Sequence, residues 1–564
     1  MFIFFENLFN QFYTNIYYNY SFFKLCCDIN SFNLIFIYFI YIVQKVLYTI
    51  FGLIELLLLL YKLYFKYQVE ILFSAPFISF IIIQLFCKKN EIKKIKKISL
   101  VFSWFILIHS INVTFNLFIK NKPLLNEDTI NFSFKYLNYY YNLFDGIDYI
   151  VLLFDTNLIF IILVSLITFS CILISWSREV YHYKLLVSIF FLLEFFAIQF
   201  FSVYNLFFVY VYFEATIIPT LILIGVWGSR LRKNIAFYYI YFITGFGSIL
   251  MLLGILILYN KLGTLNTLEL ANLILNEKLE AVYKHLVWIL LTLCFIIKLP
   301  GFLFYNWLLE AHVEAPIEGS VILSGYILKY AIWGLVGHVF LIFPFISNFY
   351  SPYLIIIAMC SIIYSTLSAI RTHDFKKCVA YTSIAHMSLA LFGLVVHSSL
   401  GVKGCLILSF SHSITSPGLF ILAGILYEKY GLRDIRYLGN IVLFPFSLYF
   451  FLLSLSNIGF PGTINFLGEV LIFCSLGELQ SVSSYIAILI SIFFGAVFGI
   501  WILTRINFTF SNNKQFSDIS FKEHSVLFLY CIIVIWFGIH FLPLSSFIND
   551  ISSFYSVIRN NFLF

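Results

Sequence analysis

Seven titratable side chains sit inside long apolar runs of this sequence: Glu194, Glu214, Lys298, Lys329, His386, His412 and Glu469. Carboxylates, amines and imidazoles share one chemistry that needs no cofactor, the uptake and release of protons. An ionised group at membrane depth costs about 2.5–3.5 kcal/mol even on lenient insertion scales, so each must face protein or water. Burial disfavours a lone charge and an opposite charge restores it, which makes a glutamate beside a lysine a tunable proton site. Imidazole, with a reference pKa of about 6.5, suits a relay between such sites. In chain order, Glu214, Lys298, Lys329, His386, His412 and Glu469 read as a proton wire at mid-depth, with Glu194 as a further carboxylate one helix earlier. Each has a plainer alternative. Lysines near helix ends can snorkel to the interface, a Glu–Lys pair can be structural, and a histidine can simply pack.

Positioning these groups requires helices that break. The stretch KLPGFLFYNWLLEAHVEAPIEGSVILSGYILK, Lys298 to Lys329, opens with a Pro-Gly pair and crosses a short polar connection, Glu310 to Glu318. Proline in a membrane helix frees carbonyls that neighbours or water must satisfy. A second pair, Pro461-Gly462, precedes Glu469 by about two turns. Helices are expected near 69–87, 98–119, 149–175, 184–203, 206–227, 235–259, 285–308, 316–341, 352–370, 379–397, 404–427, 441–475, 483–506 and 525–545, the 441–475 segment being broken. The fold expected is an all-α polytopic membrane protein of about fourteen transmembrane helices. It contains two inverted five-helix repeats, 184–341 and 352–506, each with one broken helix. Around them lie an N-terminal hydrophobic extension (1–66), leading helices (67–183), and a last helix with its tail (507–564). Inverted repeats with discontinuous helices mark ion transporters. Positive charge recurs at every second connection, at Lys88–Lys97, Arg178/Lys184, Arg230–Lys233, Arg371–Lys377 and Lys429–Arg436. Those loops are expected to face the matrix or cytoplasm.

Composition agrees with a membrane setting. Mean hydropathy is +0.97, with 62% hydrophobic and only 11% charged residues in 564. The net charge of +7 is loop lysine and arginine, and is read as topology rather than nucleic-acid binding. Phe (70) and Tyr (39) are in excess, and their AT-rich codons point to a compact organelle genome, which would also account for an N-terminus unlike a transit peptide. The ten cysteines have no zinc or iron–sulfur spacing. No phosphate loop, nucleotide fingerprint or catalytic triad is present, so the expected chain moves protons without redox chemistry of its own.

The segments FEATIIPTLILIGVWGSR, HVEAPIEGSVILSGYILK, DFKKCVAYTSIAHMSL and NIGFPGTINFLGE resemble the subunit 4 family of mitochondrial NADH:ubiquinone oxidoreductase, complex I, over about Asp145 to Arg505. The resemblance implies a fourteen-helix antiporter-like subunit of the membrane arm, in the mitochondrial inner membrane. It implies that Glu214 and Lys298 are the central Glu–Lys pair, Lys329, His386 and His412 the connecting residues, and Glu469 the terminal proton site. No cofactor is expected in this chain; NADH, FMN, iron–sulfur clusters and ubiquinone belong to other subunits. Implied partners are the subunit 2 and 5 types and membrane lipids, cardiolipin among the candidates. The chain departs from the family pattern at Tyr305 and Leu309, where histidine and proline are common. The subunit 5 type carries lysine in place of Glu469. The competing readings are a subunit of a multi-subunit cation/proton antiporter and a membrane scaffold with vestigial charges.

Overall fold

The structure, a computed structural model, describes residues 68–120, 139–144, 147–178, 180–438, 444–478, 482–508, 519–546 and 548; the expected extension, 1–66, lies outside them. Thirteen described helices are long and apolar enough to cross a membrane. They are Gln68–Phe86, Ile92–Asn116, Asp155–Trp176, Tyr183–Ser202, Leu206–Trp227, Lys233–Leu262, Ala281–Lys298, Ile317–Ile342, Ser351–Arg371, Phe375–Val395, Ser399–Tyr430, Ser483–Asn507 and Phe521–Ile539. A fourteenth crossing is made of two shorter apolar pieces, Phe444–Ile458 and Ile464–Ser475, separated at Pro461-Gly462.

Three features differ from the sequence expectation. The polar connection after Lys298 is a helix, Asn306–Glu314, so the first broken helix has a distinct second half. The segment expected to begin a helix at 149 is instead the end of an antiparallel hairpin, Tyr139–Phe144 with Ile147–Val151, and the helix starts at Asp155. Several helices begin earlier than their apolar runs. Asp374, for example, caps Phe375–Val395 by accepting from the Lys376 and Lys377 amides, which places the supposed loop lysine Lys376 in a buried first turn.

Contacts gather the basic connections at one end of the bundle. Lys96 donates to the Trp176 carbonyl at 2.7 Å, Arg178 pairs with Glu428 at 2.9 Å, and Phe375 N donates to the Arg433 carbonyl at 3.0 Å. At the opposite end the hairpin is stitched to the chain after Ser202, with Tyr204 N donating to the Ile150 carbonyl at 3.0 Å. Between these ends, three helices are enclosed by protein almost all round: Ile317–Ile342, Phe375–Val395 and Ser399–Tyr430. They carry Lys329, His386 and His412. A helix surrounded by protein can hold polar groups that a lipid-facing one cannot.

Candidate functional site

Lys329 is fully buried in mid-helix, so it does not snorkel. Its helix widens into π turns at Leu323–Ile327 and Leu335–Val339, on either side of the lysine's own turn. The first of these moves the Leu328 amide onto the Leu323 carbonyl. The Ser324 carbonyl is thereby left for the Lys329 ammonium, which donates to it. π turns concentrate where a helix serves a site rather than a ladder. The same ammonium lies 3.0 Å from His412 Nδ1.

From His412 the path continues. The His412 and His386 rings are 5.9 Å apart between centroids, and His412 Nε2 has no protein partner. One water or a ring rotation spans such a gap. His386 Nε2 lies 3.1 Å from the Asn457 carbonyl, to which it donates. That carbonyl is free for a covalent reason: its helical partner four residues on would be Pro461, which has no N–H. With Nε2 held as donor, Nδ1 is the exchangeable nitrogen, and it faces Glu469 Oε1 at 3.6 Å. A cavity of about 30 Å³, lined by His386, Asn457, Thr382, Ser491 and Glu469, adjoins the pair. That is room for a water. Gly459, at φ +78°, comes so close to this carboxylate that a Cβ there would clash with Glu469 Oε2.

The first broken helix is built differently. Lys298 ends Ala281–Lys298, buried, with its ammonium 4.8 Å from the centre of the Phe213 ring. Glu214 is adjacent to that phenylalanine and only half-buried, and its Oε2 has no protein partner. The two charges are within Coulombic reach but form no ion pair within 4.0 Å; the lysine ammonium lies instead against the Phe213 ring. The freed carbonyls at this break are satisfied within the chain: Ile296 by the Gly301 amide at 3.1 Å and Ile297 by the Trp307 indole at 2.9 Å. Glu194 is fully buried and accepts from Thr168 at 2.9 Å, and its second oxygen has no protein partner. Aromatic rings fill the space between Lys298 and the helix of Lys329, with Phe200 lying 6.2 Å from Phe213 and stacked on Tyr330 at 4.2 Å.

A family profile described as NADH:quinone oxidoreductase/Mrp antiporter, TM matches residues 203–499. Chain 4 of NADH-ubiquinone oxidoreductase from Acanthamoeba castellanii is 39% identical over 457 residues, 80% of this chain and 90% of that protein. The chain belongs to this family. A chain of respiratory complex I from Thermus thermophilus with bound NADH aligns with a TM-score of 0.75 at 21% identity, covering 86% of this chain and 99% of that one. A chain of the Mrp complex from Dietzia sp. DQ12-45-1b aligns at 0.73 and 14% identity, covering 87% and 99%. At those identities the two structures establish a common fold. Like other members, the chain is a multi-pass membrane protein.

Among the sequence-predicted residues, Lys329, His412, His386 and Glu469 are thus brought into one series, while Glu214, Lys298 and Glu194 lie apart from it. Other buried groups escaped the sequence reading. His312 and His338 are fully buried with no protein partner for any ring nitrogen. His312 stacks on Phe420 at 4.5 Å and is within Coulombic reach of Lys329 and Lys376. A buried ionic cluster also occupies the basic end, where Arg178 meets Glu318 and Glu428, both at 2.9 Å, and Arg433 meets Glu314 at 3.9 Å. Among the described residues, no group of three or more His, Cys, Asp or Glu side chains is placed to hold a metal.

Proposed function

We propose that this chain is a proton-translocating membrane-arm subunit of NADH:ubiquinone oxidoreductase, driven by electron transfer in other subunits. The observation that carries the reading is the series Lys329, His412, His386, Glu469. Two of its steps lie at 3.0 and 3.6 Å, and Lys329, His412 and His386 stand on the three helices that protein encloses almost all round. A proton leaving the Lys329 ammonium passes to His412, then through His386 Nδ1 to Glu469. Glu469 lies in Ile464–Ser475, the half of its helix remote from the basic end, which makes it the outlet. Glu214, Lys298 and Glu194 act upstream, where the unpartnered carboxylate oxygens of the two glutamates call for water-mediated contact. The membrane potential opposes each outward charge by about 2.3 kcal/mol per 100 mV, so loading must be tied to redox turnover elsewhere.

Membership of the family supports a finer placement, which is part of the proposal. The chain sits in the mitochondrial inner membrane between the subunit 2 and 5 types, with cardiolipin among its lipids. NADH, FMN, iron–sulfur clusters and ubiquinone are held by other subunits. Its two five-helix units, 184–341 and 352–506, run in opposite senses; the fourth helix of each is the broken one, which supports that arrangement. The test uses the intact complex in sealed membrane vesicles. Lys329→Met is expected to lower coupled proton translocation by about a hundredfold, and Glu214→Gln by about tenfold, with assembly retained. Normal pumping by an assembled Lys329→Met complex sinks the proposal. Proton movement that requires sodium but no NADH would favour a cation/proton antiporter.

A further inference from the structure

The five-residue turn Glu314–Glu318 joins the half-helix that bears His312 to the helix that bears Lys329, and three cations from three separate parts of the chain hold it, Lys376 and Arg433 buried and Arg178 partly so. Arg433, just after Ser399–Tyr430, pairs with the Glu314 carboxylate at 3.9 Å and donates to the Ser229 hydroxyl. Ser229 in turn donates its backbone N–H to the Glu314 carbonyl at 3.2 Å. Lys376, from the first turn of Phe375–Val395, donates to the Ala315 carbonyl at 2.9 Å. Arg178, just after Asp155–Trp176, donates to Glu318 at 2.9 Å.

Lys376 is the informative member. A cation in the first turn of a helix opposes that helix's dipole, and this one is also 3% exposed. Its position makes sense toward the other helix: Ala315 is the C-cap of Asn306–Glu314, whose last carbonyls need donors from outside their own helix. An ammonium there satisfies one carbonyl and complements the negative end of the dipole. His312 lies three residues before Ala315 on this half-helix.

We propose that Lys376, Arg433 and Arg178 are positioning residues for proton transfer: they clamp the turn, and through it fix the helix that carries Lys329, and so the lysine ammonium relative to His412. The inference rests on the proton-path reading above and assigns the clamp no proton of its own. Because transfer rates fall steeply with small displacements of the reacting groups, loosening the clamp slows transfer while the titratable groups remain.

The test is coupled turnover and its solvent deuterium isotope effect, measured on the whole complex in vesicles, with assembly followed on native gels. Lys376→Met is expected to slow coupled turnover about tenfold and raise the isotope effect, with Lys376→Arg restoring both. An assembled Lys376→Met complex with wild-type rate and isotope effect overturns the clamp. So does a loss that merely tracks the amount of assembled complex. If Lys376→Met does not assemble, Arg433→Gln, which frees the Glu314 carboxylate but leaves the Ala315 cap, carries the same expectation at smaller size and the same overturning result. His412→Leu is measured alongside. If it is dead while Lys376→Met is normal, the clamp alone fails; if it pumps normally, the proton-path reading fails and the clamp with it.

Discussion

The two broken helices solve one backbone problem in two ways. Each contains a Pro-Gly pair, and in each the proline leaves the carbonyl four residues earlier without its helical donor. At the first break the Ile296 and Ile297 carbonyls are satisfied by a backbone amide and an indole, neither of which titrates. At the second, the Asn457 carbonyl is satisfied by His386. The same repair therefore fixes a histidine tautomer and aims its other nitrogen at Glu469. The first break is a packing solution with its lysine laid against an aromatic ring; the second recruits the repair into the proton path proposed above. Chemistry enters a membrane helix at a point where the ladder is already open, because there a titratable side chain gains a fixed partner without displacing a helical hydrogen bond.

This contrast can be broken or sharpened by substitution. The largest effect after Lys329→Met is expected at Glu469. Glu469→Gln should lower coupled pumping by at least about tenfold, whereas Glu469→Lys, which keeps a protonatable group, should retain part of the flux. Pumping assays on the two variants decide it, and equal loss in both would remove Glu469 as the outlet. A smaller effect, and of a different kind, is expected at the first break. Trp307→Phe removes the indole donor from the Ile297 carbonyl and should destabilise the complex by about 1 kcal/mol, read as a shift in thermal inactivation, with little change in pumping per NADH. A large pumping loss there would mean that the first break also conducts.

The smallest effect lies outside the membrane, in the basic connection. Hydrogen bonds from Arg436 hold the Asp434 carboxyl below its ordinary value. A depressed carboxylate contributes stability that is fully present above the unfolded value of about 3.9 and is lost as pH falls through the lower folded value. Hydrogen exchange of residues 431–438 should therefore quicken only in strong acid, and Asp434→Asn should remove that dependence. No acid-dependent change in the native chain would contradict it.

Much of this was legible in the sequence. A charge inside an apolar run has few places to go, so Lys329, His386, His412 and Glu469 declared themselves, as did both Pro-Gly breaks. The fourteen crossings among the described residues followed from hydropathy. What was missed is what tertiary enclosure decides. His312, Glu314 and Glu318 lie in a stretch polar enough to pass for a loop, yet the chain folds it into a capped half-helix and buries it. Lys376 looked like one more loop lysine because the burial of a helix's first turn depends on what packs over it. The hairpin had a signal, Asp145-Gly146 between two aromatic alternating runs, but the hydropathy of the second run masked it. The missing Glu214–Lys298 contact has no sequence signature, since Phe213 is simply the next residue.

The most direct test of the account is His386→Gln in the intact complex, measured as protons translocated per NADH oxidised in sealed vesicles. Glutamine can still donate to the Asn457 carbonyl, so the second break stays repaired, but it cannot carry a proton to Glu469. The account predicts an assembled complex of normal thermal stability whose pumping falls by about tenfold or more. Wild-type pumping in that variant would show that the histidine only mends the helix, and the two breaks would then be alike.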